Sequence, residues 1–377
     1  MNSDVVVIGG GIVGWAAAYR LVRAGASVTV IDRNDPGQAT AAGAGIISPG
    51  TGFRLAPQSL ELSRAAVDYY PTLLDQLTED GEADTGFATP GLLFVFTNEE
   101  EFARREEMRA FAETRKAAGT RNIGDITLLD GAQAKKLFPP LADLPGALHL
   151  SGASWVDGRL MRDALMRAAI KRGATVEIGS ASITRQGDRI AAVSVDQRVL
   201  ETGAVLVAGG AWSPELADQL EISLPIDPQR GQILHLDEPG AATADWTIVH
   251  GFSNHYLLTF PQSRIVAGAT REEGSGFDYR QTAGGVHQEL TEALRVAPGL
   301  STATLTEVRI GFRPFSRDGM PVLGQVPGTA NAWLATGHGP SGLQLGPVSG
   351  AAVADLILGS DPVISIEAFS PNRFPAA

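Results

Sequence analysis

Three glycines behind the first apolar segment constrain the fold of this chain more than any other feature. Gly9, Gly11 and Gly14 follow residues 5–8, which read as a buried parallel strand. In a dinucleotide-binding turn the first glycine permits a tight turn, the second lets backbone approach a pyrophosphate, and the third lets the next helix pack closely. The helix then begins with free N–H groups and a dipole that favours negative charge. The sequence therefore predicts a binding site for FAD or NAD.

The residues that follow complete this unit. We predict a helix over residues 12–23 and a second strand over residues 27–31, which ends at Asp32. A carboxylate at this place accepts hydrogen bonds from an adenosine ribose, and its charge disfavours the 2′-phosphate of NADP.

Composition excludes several classes of function. A chain of 377 residues predicts more than one domain. The net charge of −12 argues against a nucleic-acid partner. Without cysteine the chain has no disulfide, thiol nucleophile or thiolate metal site, and its six histidines show no zinc-binding spacing, so we expect no metal site. The sequence shows no integral membrane segment and no secretion signal, so we expect a cytoplasmic protein, with peripheral membrane contact left open.

The pattern of predicted elements changes along the chain. Apolar strands at 175–178 and 198–207 resemble the first unit, whereas short alternating strands at 232–236, 256–260 and 263–267 indicate a mostly antiparallel sheet. We therefore predict an α/β fold of the α+β two-domain type, with a Rossmann-type FAD-binding domain built from discontinuous segments and a substrate-binding domain of mostly antiparallel sheet with helices. The segments are 1–80, 146–215 and 310–377 for the first domain, and 81–145 and 216–309 for the second.

A second glycine-rich turn lies near the end of the chain. A buried strand at 332–336 is followed by Gly337, Gly339, Gly342 and Gly346 and by a predicted helix over residues 347–358. The N-terminus of that helix could face the negative charge of a reduced isoalloxazine, which favours FAD over NAD. The alternative is a flexible turn.

Motifs along nearly the whole chain carry a family resemblance. VVVIGGGIVG, ATAAGAGIISP, RIGFRPFSRDGMPVLG and GHGPSGLQLG occur in this order. The chain resembles the FAD-dependent D-amino acid oxidase and dehydrogenase superfamily, in particular its glycine oxidase and D-amino acid dehydrogenase branch. The resemblance implies non-covalent FAD and oxidation of a D-amino or imino acid by hydride transfer to flavin N5. The resulting imine hydrolyses to a 2-oxo acid and ammonia.

Alternative functions remain at this point. Within flavoenzymes the alternative is oxidation of glycine, sarcosine or another secondary amine. From other classes, the chain could be an NAD-dependent dehydrogenase or a non-catalytic nucleotide-binding module. The electron acceptor could be oxygen, a quinone or another acceptor, and the residues indicate no oligomeric state.

The resemblance also implies cofactor-binding residues. They cover the pyrophosphate turn, the adenosine end, the phosphate and ribityl path, and the loop around the flavin ring: Gly9, Gly11, Ile12, Val13, Gly14, Asp32, Arg33, Ala39, Thr40, Ala44, Gly45, Ile46, Ser180, Gly210, His338, Gly339, Pro340, Ser341, Gly342, Leu343 and Gln344.

For the substrate, the resemblance points to Arg313 and Tyr256. A guanidinium offers a rigid fork that matches a carboxylate, and the tyrosine hydroxyl could add a hydrogen bond. A structural ion pair and an ordinary strand tyrosine are the alternatives.

Pro340 departs from the family pattern, because glycine oxidase carries a second substrate-binding arginine there. Proline has neither charge nor amide donor. A second cation would have to come from Arg271 or Arg54, and His255, Asn254 and Arg271 are expected to shape specificity.

Overall fold

The computed structural model describes residues 2–48, 56–253 and 255–374, which form two eight-stranded sheets and one three-stranded sheet. The strands are β1 Asn2–Ile8, β2 Val28–Asp32, β3 Ile46–Ile47, β4 Phe87–Ala88, β5 Leu92–Phe96, β6 Ile126–Asp130, β7 Gly146–Leu150, β8 Ser154–Val156, β9 Thr175–Ile178, β10 Ala181–Gln186, β11 Arg189–Val195, β12 Arg198–Val207, β13 Ile226–Asp237, β14 Ile248–His250, β15 Tyr256–Thr259, β16 Arg264–Gly268, β17 Thr304–Ser316, β18 Val322–Gln325 and β19 Ala332–Thr336.

The α-helices are α1 Ile12–Arg23, α2 Ala39–Ala42, α3 Pro57–Glu79, α4 Glu99–Ala103, α5 Arg105–Ala117, α6 Gly131–Leu137, α7 Gly158–Lys171, α8 Ala217–Leu220, α9 Ala283–Val296 and α10 Gly342–Ile357. Short 3₁₀ helices cover Gly210–Leu216, Thr243–Asp245, Pro298–Thr302, Gly339–Ser341, Glu367–Phe369 and Pro371–Arg373.

The first large sheet is centred on β1. It runs β10-β11-β12-β1-β2-β9, with β19 against β12 and β18 against β19, and the pairs β1–β12, β1–β2, β2–β9 and β12–β19 are parallel. Val5 and Val7 join one hydrophobic core and Val6 and Ile8 another, so β1 is buried on both faces. This burial explains why the strand is apolar without alternation.

The second large sheet runs β17-β13-β16-β15-β14-β5-β7-β6. Among its described strands, all neighbours are antiparallel except β5 and β14. Leu290 of α9 packs with Leu234 and Leu257 on one face, whereas Phe94 and Leu258 lie in a separate core on the other.

Two strands of the second sheet lie at predicted domain boundaries. β7 pairs with β5 and β6 in the second sheet, although the boundary at residue 146 places it in the FAD-binding domain. β17 pairs with β13 on both sides of the boundary at residue 310. Long-range strand pairing decides membership of a sheet, and the residues of one strand do not reveal it. The division into domains otherwise stays a prediction.

Helix α10 begins at Gly342, before the predicted start at residue 347, and so contains Pro347. Proline has no N–H to donate to the carbonyl four residues earlier. That carbonyl, of Leu343, instead accepts a hydrogen bond from the buried hydroxyl of Tyr70 in α3. A helix that the proline would end is thus completed by a side chain from α3.

Small residues bring α10 close to α1. A Cβ atom on Gly350 would lie 2.5 Å from the carbonyl oxygen of Val13 and 2.9 Å from the backbone nitrogen of Ala17. Only a glycine fits this crossing without a shift. The first and last helices of the chain, far apart in sequence, therefore lie side by side.

Strand β17 also contacts the segment before α2. The backbone N–H of Phe312 donates to the carbonyl of Gly37 at 2.9 Å, and Gln38 and Phe312 form an isolated parallel bridge. These bonds connect the second sheet directly to the nucleotide-binding half of the molecule.

Candidate active site

One cavity of about 560 Å³ is lined by residues of both large sheets. All predicted cofactor-binding residues except Gly14 line it, and so do the predicted substrate-binding residues Arg313, Tyr256, Arg271 and Pro340. His255 does not. The structure therefore brings together residues from the first turn and the last helix of the chain, while their individual roles stay predictions.

The turn between β1 and α1 is shaped for an anion. α1 begins after Gly11 with no acidic residue in its first turn, and the Ile12 N–H donates to the Thr40 hydroxyl at 3.0 Å. Gly14 acts behind the cavity, because a Cβ atom there would lie 1.9 Å from the carbonyl oxygen of Gly9. The helix can pack against its own turn only with a glycine at this position.

Asp32 holds the turn from the end of β2. Its carboxylate accepts hydrogen bonds from the Gly10 N–H, from the Asn34 N–H at 2.5 Å and from Gln38 Nε2 at 3.0 Å. A carboxylate has about four acceptor positions, so one remains for a ribose hydroxyl. Arg33 next to it forms ion pairs with Asp35 at 2.7 Å and Glu215 at 2.6 Å.

The N-terminus of α10 also lines the cavity and has no acidic residue in its first turn. His338 lies just before it, with 5% of its surface exposed and with a buried Nε2 that has no hydrogen-bond partner among the described residues. Burial lowers the pKa of His338 to about 4, so the ring is neutral at neutral pH. The N-termini of α1 and α10 line one cavity, and two helix N-termini fit a large anionic cofactor such as FAD.

Arg313 projects from β17 across the neighbouring strand. Its Nη1 donates to the Thr270 carbonyl at 2.9 Å, and a Cβ atom on Gly231 of β13 would lie 2.6 Å from its Nη2. Burial lowers the pKa of Arg313 because the charged form loses hydration. No acidic side chain among the described residues pairs with it. A half-buried guanidinium without a partner is suited to bind a carboxylate.

A hydrogen-bond network holds the carbonyl to which Arg313 binds. The Thr270 hydroxyl accepts from the Gln232 N–H at 2.8 Å and donates to Glu272 at 2.7 Å. Glu272 in turn pairs with Arg230 at 2.5 Å. These contacts fix Thr270, which precedes Arg271 in the chain and binds Arg313 through its carbonyl.

Three further side chains of the second sheet line the cavity beside Arg313. Arg271 is exposed and has no acidic partner among the described residues. Tyr256 lies directly across the β14–β15 pair from His250, so both rings are on the same face. Burial raises the pKa of Tyr256 to about 12, so its hydroxyl stays protonated. Sequence reasoning missed His250, and the one sequence signal for it is its place two residues after the buried Ile248.

His255 lies outside this cavity. Its Nδ1 is 2.8 Å from Oε2 of Glu289 in α9, and this hydrogen bond raises the pKa of His255. Both residues line a second cavity of about 20 Å³. The prediction that His255 contacts substrate stays a prediction, whereas Arg54 and Asn254 lie outside the described residues.

Across the part of the chain that the structure describes, no helix could serve as a membrane span. Within the same residues, no three or more His, Cys, Asp or Glu side chains come together in a way that could hold a metal ion.

A mainly parallel sheet with a dinucleotide turn shares one cavity with a mainly antiparallel sheet, whose two lining arginines have no acidic partner among the described residues. This is the architecture of a dinucleotide-binding enzyme. The profile of one family matches residues 4–356. The chain belongs to this FAD dependent oxidoreductase family, DAO.

Individual relatives agree with this assignment. The uncharacterized oxidoreductase YurR of Bacillus subtilis is 42% identical over 97% of this chain and 98% of its own length. Glycine oxidase of Pseudomonas aeruginosa is 30% identical over 98% of this chain and 99% of its own. The crystal structure of iminodiacetate oxidase (IdaA) from Chelativorans sp. BNC1 superimposes with a TM-score of 0.93 and 38% identity, covering 97% of this chain and 98% of that protein. The predicted family, α/β fold, enzyme and FAD cofactor are thereby confirmed.

Proposed function

We propose that this enzyme oxidises the C–N bond of a small amino or imino acid, and that its preferred substrate is a secondary amine with two carboxylates. The observation that carries the proposal is the pair of guanidinium groups, Arg313 and Arg271, that line one cavity without an acidic partner among the described residues. A diacid would supply one carboxylate to each. The similarity to iminodiacetate oxidase supports the same substrate class.

The two arginines would divide the work of binding. Arg313 is half-buried and held by Thr270, so it would fix the carboxylate next to the carbon that reacts. Tyr256 would donate a hydrogen bond to the same carboxylate, because its hydroxyl stays protonated. Arg271 is exposed and would bind the second carboxylate farther out.

FAD, when bound, accepts the hydride from the carbon that carries the nitrogen. The contribution of the protein is to hold that carbon in one orientation. The imine that leaves hydrolyses to a 2-oxo acid and an amine, or ammonia when the substrate is a primary amine.

Glycine or sarcosine is the second candidate substrate, because glycine oxidase of Pseudomonas aeruginosa covers nearly the whole chain. Pro340 departs from the arginine expected in that branch, so the second cation of the cavity is Arg271 instead. A D-amino acid, the substrate predicted first, stays a prediction.

Anaerobic mixing of the flavin-loaded enzyme with a panel of amines tests the proposal. The panel contains iminodiacetate, sarcosine, glycine and a series of D-amino acids, and the loss of flavin absorbance near its visible maximum reports reduction. We expect iminodiacetate to reduce the flavin fastest. Arg271→Ala should raise the KM for iminodiacetate about tenfold but leave that for sarcosine unchanged. Rapid reduction by a D-amino acid and none by iminodiacetate would contradict the diacid assignment.

A further inference from the structure

The substrate nitrogen needs a partner of its own, and the cavity offers few candidates. Four titratable side chains of the second sheet line it: Arg271, Arg313, Tyr256 and His250. An arginine has donors only, and the Tyr256 hydroxyl is engaged as a donor in the proposed function. A neutral imidazole has one nitrogen that donates and one that accepts. Of these four groups, His250 is therefore the one suited to accept a hydrogen bond from an amine N–H.

The position of His250 fits this task. It is the last residue of β14 and lies opposite Tyr256, on the face of the sheet that carries the cavity. Its ring centroid is 6.1 Å from that of Phe94, which is 1% exposed, so the imidazole packs against a buried aromatic ring. Nδ1 is buried and makes no side-chain hydrogen bond among the described residues, so we infer that Nε2 is the nitrogen available to the cavity.

Burial keeps His250 neutral. It lowers the pKa of His250 to about 4, a shift that a hydrogen bond with the Gly251 backbone opposes and the nearby cation Arg271 supports. Arg313 adds positive charge to the same cavity, while Tyr256 stays uncharged at neutral pH. The Glu289 carboxylate is paired with His255, and both line the second cavity together with His250 and Tyr256. His338 is neutral as well, but its Nε2 is buried.

The chemistry of the reaction requires an acceptor rather than a donor at the substrate nitrogen. Forming the C=N bond uses the nitrogen lone pair, and a donor would occupy that lone pair. An acceptor binds the N–H instead and leaves the lone pair free. It also orients the nitrogen relative to the carboxylate held by Arg313.

We propose that His250 is a substrate-binding residue that accepts a hydrogen bond from the N–H of the neutral substrate amine and so leaves the nitrogen lone pair free. The inference rests on the proposed function and assigns the nitrogen contact that the two arginines leave open. Arg313 and Arg271 would each bind one carboxylate of the substrate, and His250 would bind the amine between them.

Two ligands that differ only at the nitrogen test this inference. Glutarate has a methylene where iminodiacetate has its N–H, and both are measured by titrating the flavin spectrum of the loaded enzyme in the absence of oxygen at a pH where reduction is slow. His250→Leu should weaken iminodiacetate about 10- to 100-fold, because the substrate N–H loses its partner. Glutarate affinity should stay within about twofold. Arg313→Ala should weaken both ligands.

Controls separate a contact from a structural effect. His250→Asn keeps an acceptor and should restore part of the preference for iminodiacetate. His149→Asn replaces a histidine of the same sheet that lines neither cavity, and should change neither affinity. Flavin content and the midpoint of thermal unfolding show whether each variant folds. Nitrogen-15 NMR of the wild-type histidines adds a readout without mutation, in which iminodiacetate but not glutarate should shift the His250 Nε2 resonance.

The outcomes separate the two proposals. If neither diacid perturbs the wild-type flavin spectrum and iminodiacetate is not oxidised, the proposed function is wrong. If the wild type binds both diacids and His250→Leu weakens them equally or not at all, the role of His250 is wrong while the proposed function stands. An unshifted His250 resonance with bound iminodiacetate would also overturn that role.

Discussion

The two ends of the cavity are built in different ways. At the nucleotide end, a continuous stretch of chain supplies a strand, a glycine-rich turn and a helix. At the substrate end, side chains from β14, β15 and β17 converge on one face of a sheet. The nucleotide end depends on glycines, whose missing Cβ atoms allow close packing. The substrate end depends on the chemical identity of its side chains. A substitution should therefore harm the nucleotide end by bulk and the substrate end by chemistry.

Gly14→Ala is the most severe way to sharpen this comparison. The new methyl group would lie 1.9 Å from the carbonyl oxygen of Gly9, so the turn must move away from the helix. We expect the purified variant to lose nearly all bound flavin and to be destabilised by about 1–3 kcal/mol. The ratio of flavin to protein absorbance and denaturant unfolding measure the two effects.

Gly284→Ala in α9 is the matched control, because nothing lies within 4 Å of its added methyl group. It should keep its flavin and gain about 0.5–1 kcal/mol of helix stability. Equal flavin loss in the two variants would show that the packing at Gly14 has no special role.

Arg313→Ala should break the substrate end alone. We expect kcat/KM to fall about 10²- to 10³-fold for every carboxylate substrate, because a half-buried charge pair is lost, while flavin content stays normal. Steady-state kinetics and the flavin absorbance ratio measure this. Arg317→Ala, which removes an exposed ion pair with Asp227, is the control and should leave kcat/KM unchanged. Loss of flavin in Arg313→Ala would contradict the independence of the two ends.

The sequence predicted the nucleotide end well because its contacts are local. Helix α1 and strand β19 begin and end at the predicted residues, and Gly9 and Asp32 lie where the motif places them. Sequence-based prediction failed where a contact is made by residues distant in the sequence. The Tyr70 hydroxyl that donates to the Leu343 carbonyl of α10 belongs to α3, and the sequence around Pro347 does not indicate this hydrogen bond. His250 lines the cavity only because β14 pairs with β15, and Glu289 meets His255 from another helix.

His338→Gln tests the nucleotide end through pH. The folded pKa of His338 is about 4 against an ordinary 6.5, so the unfolded chain takes up a proton between these values while the folded protein does not. This group therefore lowers stability as the pH falls from 6.5 to 4, by up to about 1.4 kcal/mol per pH unit. The variant should lose part of this slope, as measured by unfolding free energy against pH. An unchanged slope would mean that the buried ring does not resist protonation.

Ser180→Val should have the smallest effect. Ser180 lines the nucleotide end, but its exposed side chain makes no described hydrogen bond, so only its backbone is expected to matter. FAD affinity should change by no more than about twofold, as measured by titration of the apoprotein. A large loss of FAD affinity would show that side chains also contribute to binding at the nucleotide end.

The bond from the Phe312 N–H to the Gly37 carbonyl has a thermodynamic consequence. It joins the strand that carries Arg313 to the segment that leads into Thr40, so ordering of either one restricts the other. Linkage makes such an effect reciprocal. A carboxylate ligand that binds more tightly to the flavin-loaded enzyme than to the apoprotein must retard flavin dissociation or speed its uptake to the same overall extent, and the prosthetic group would then be retained best while the enzyme is at work.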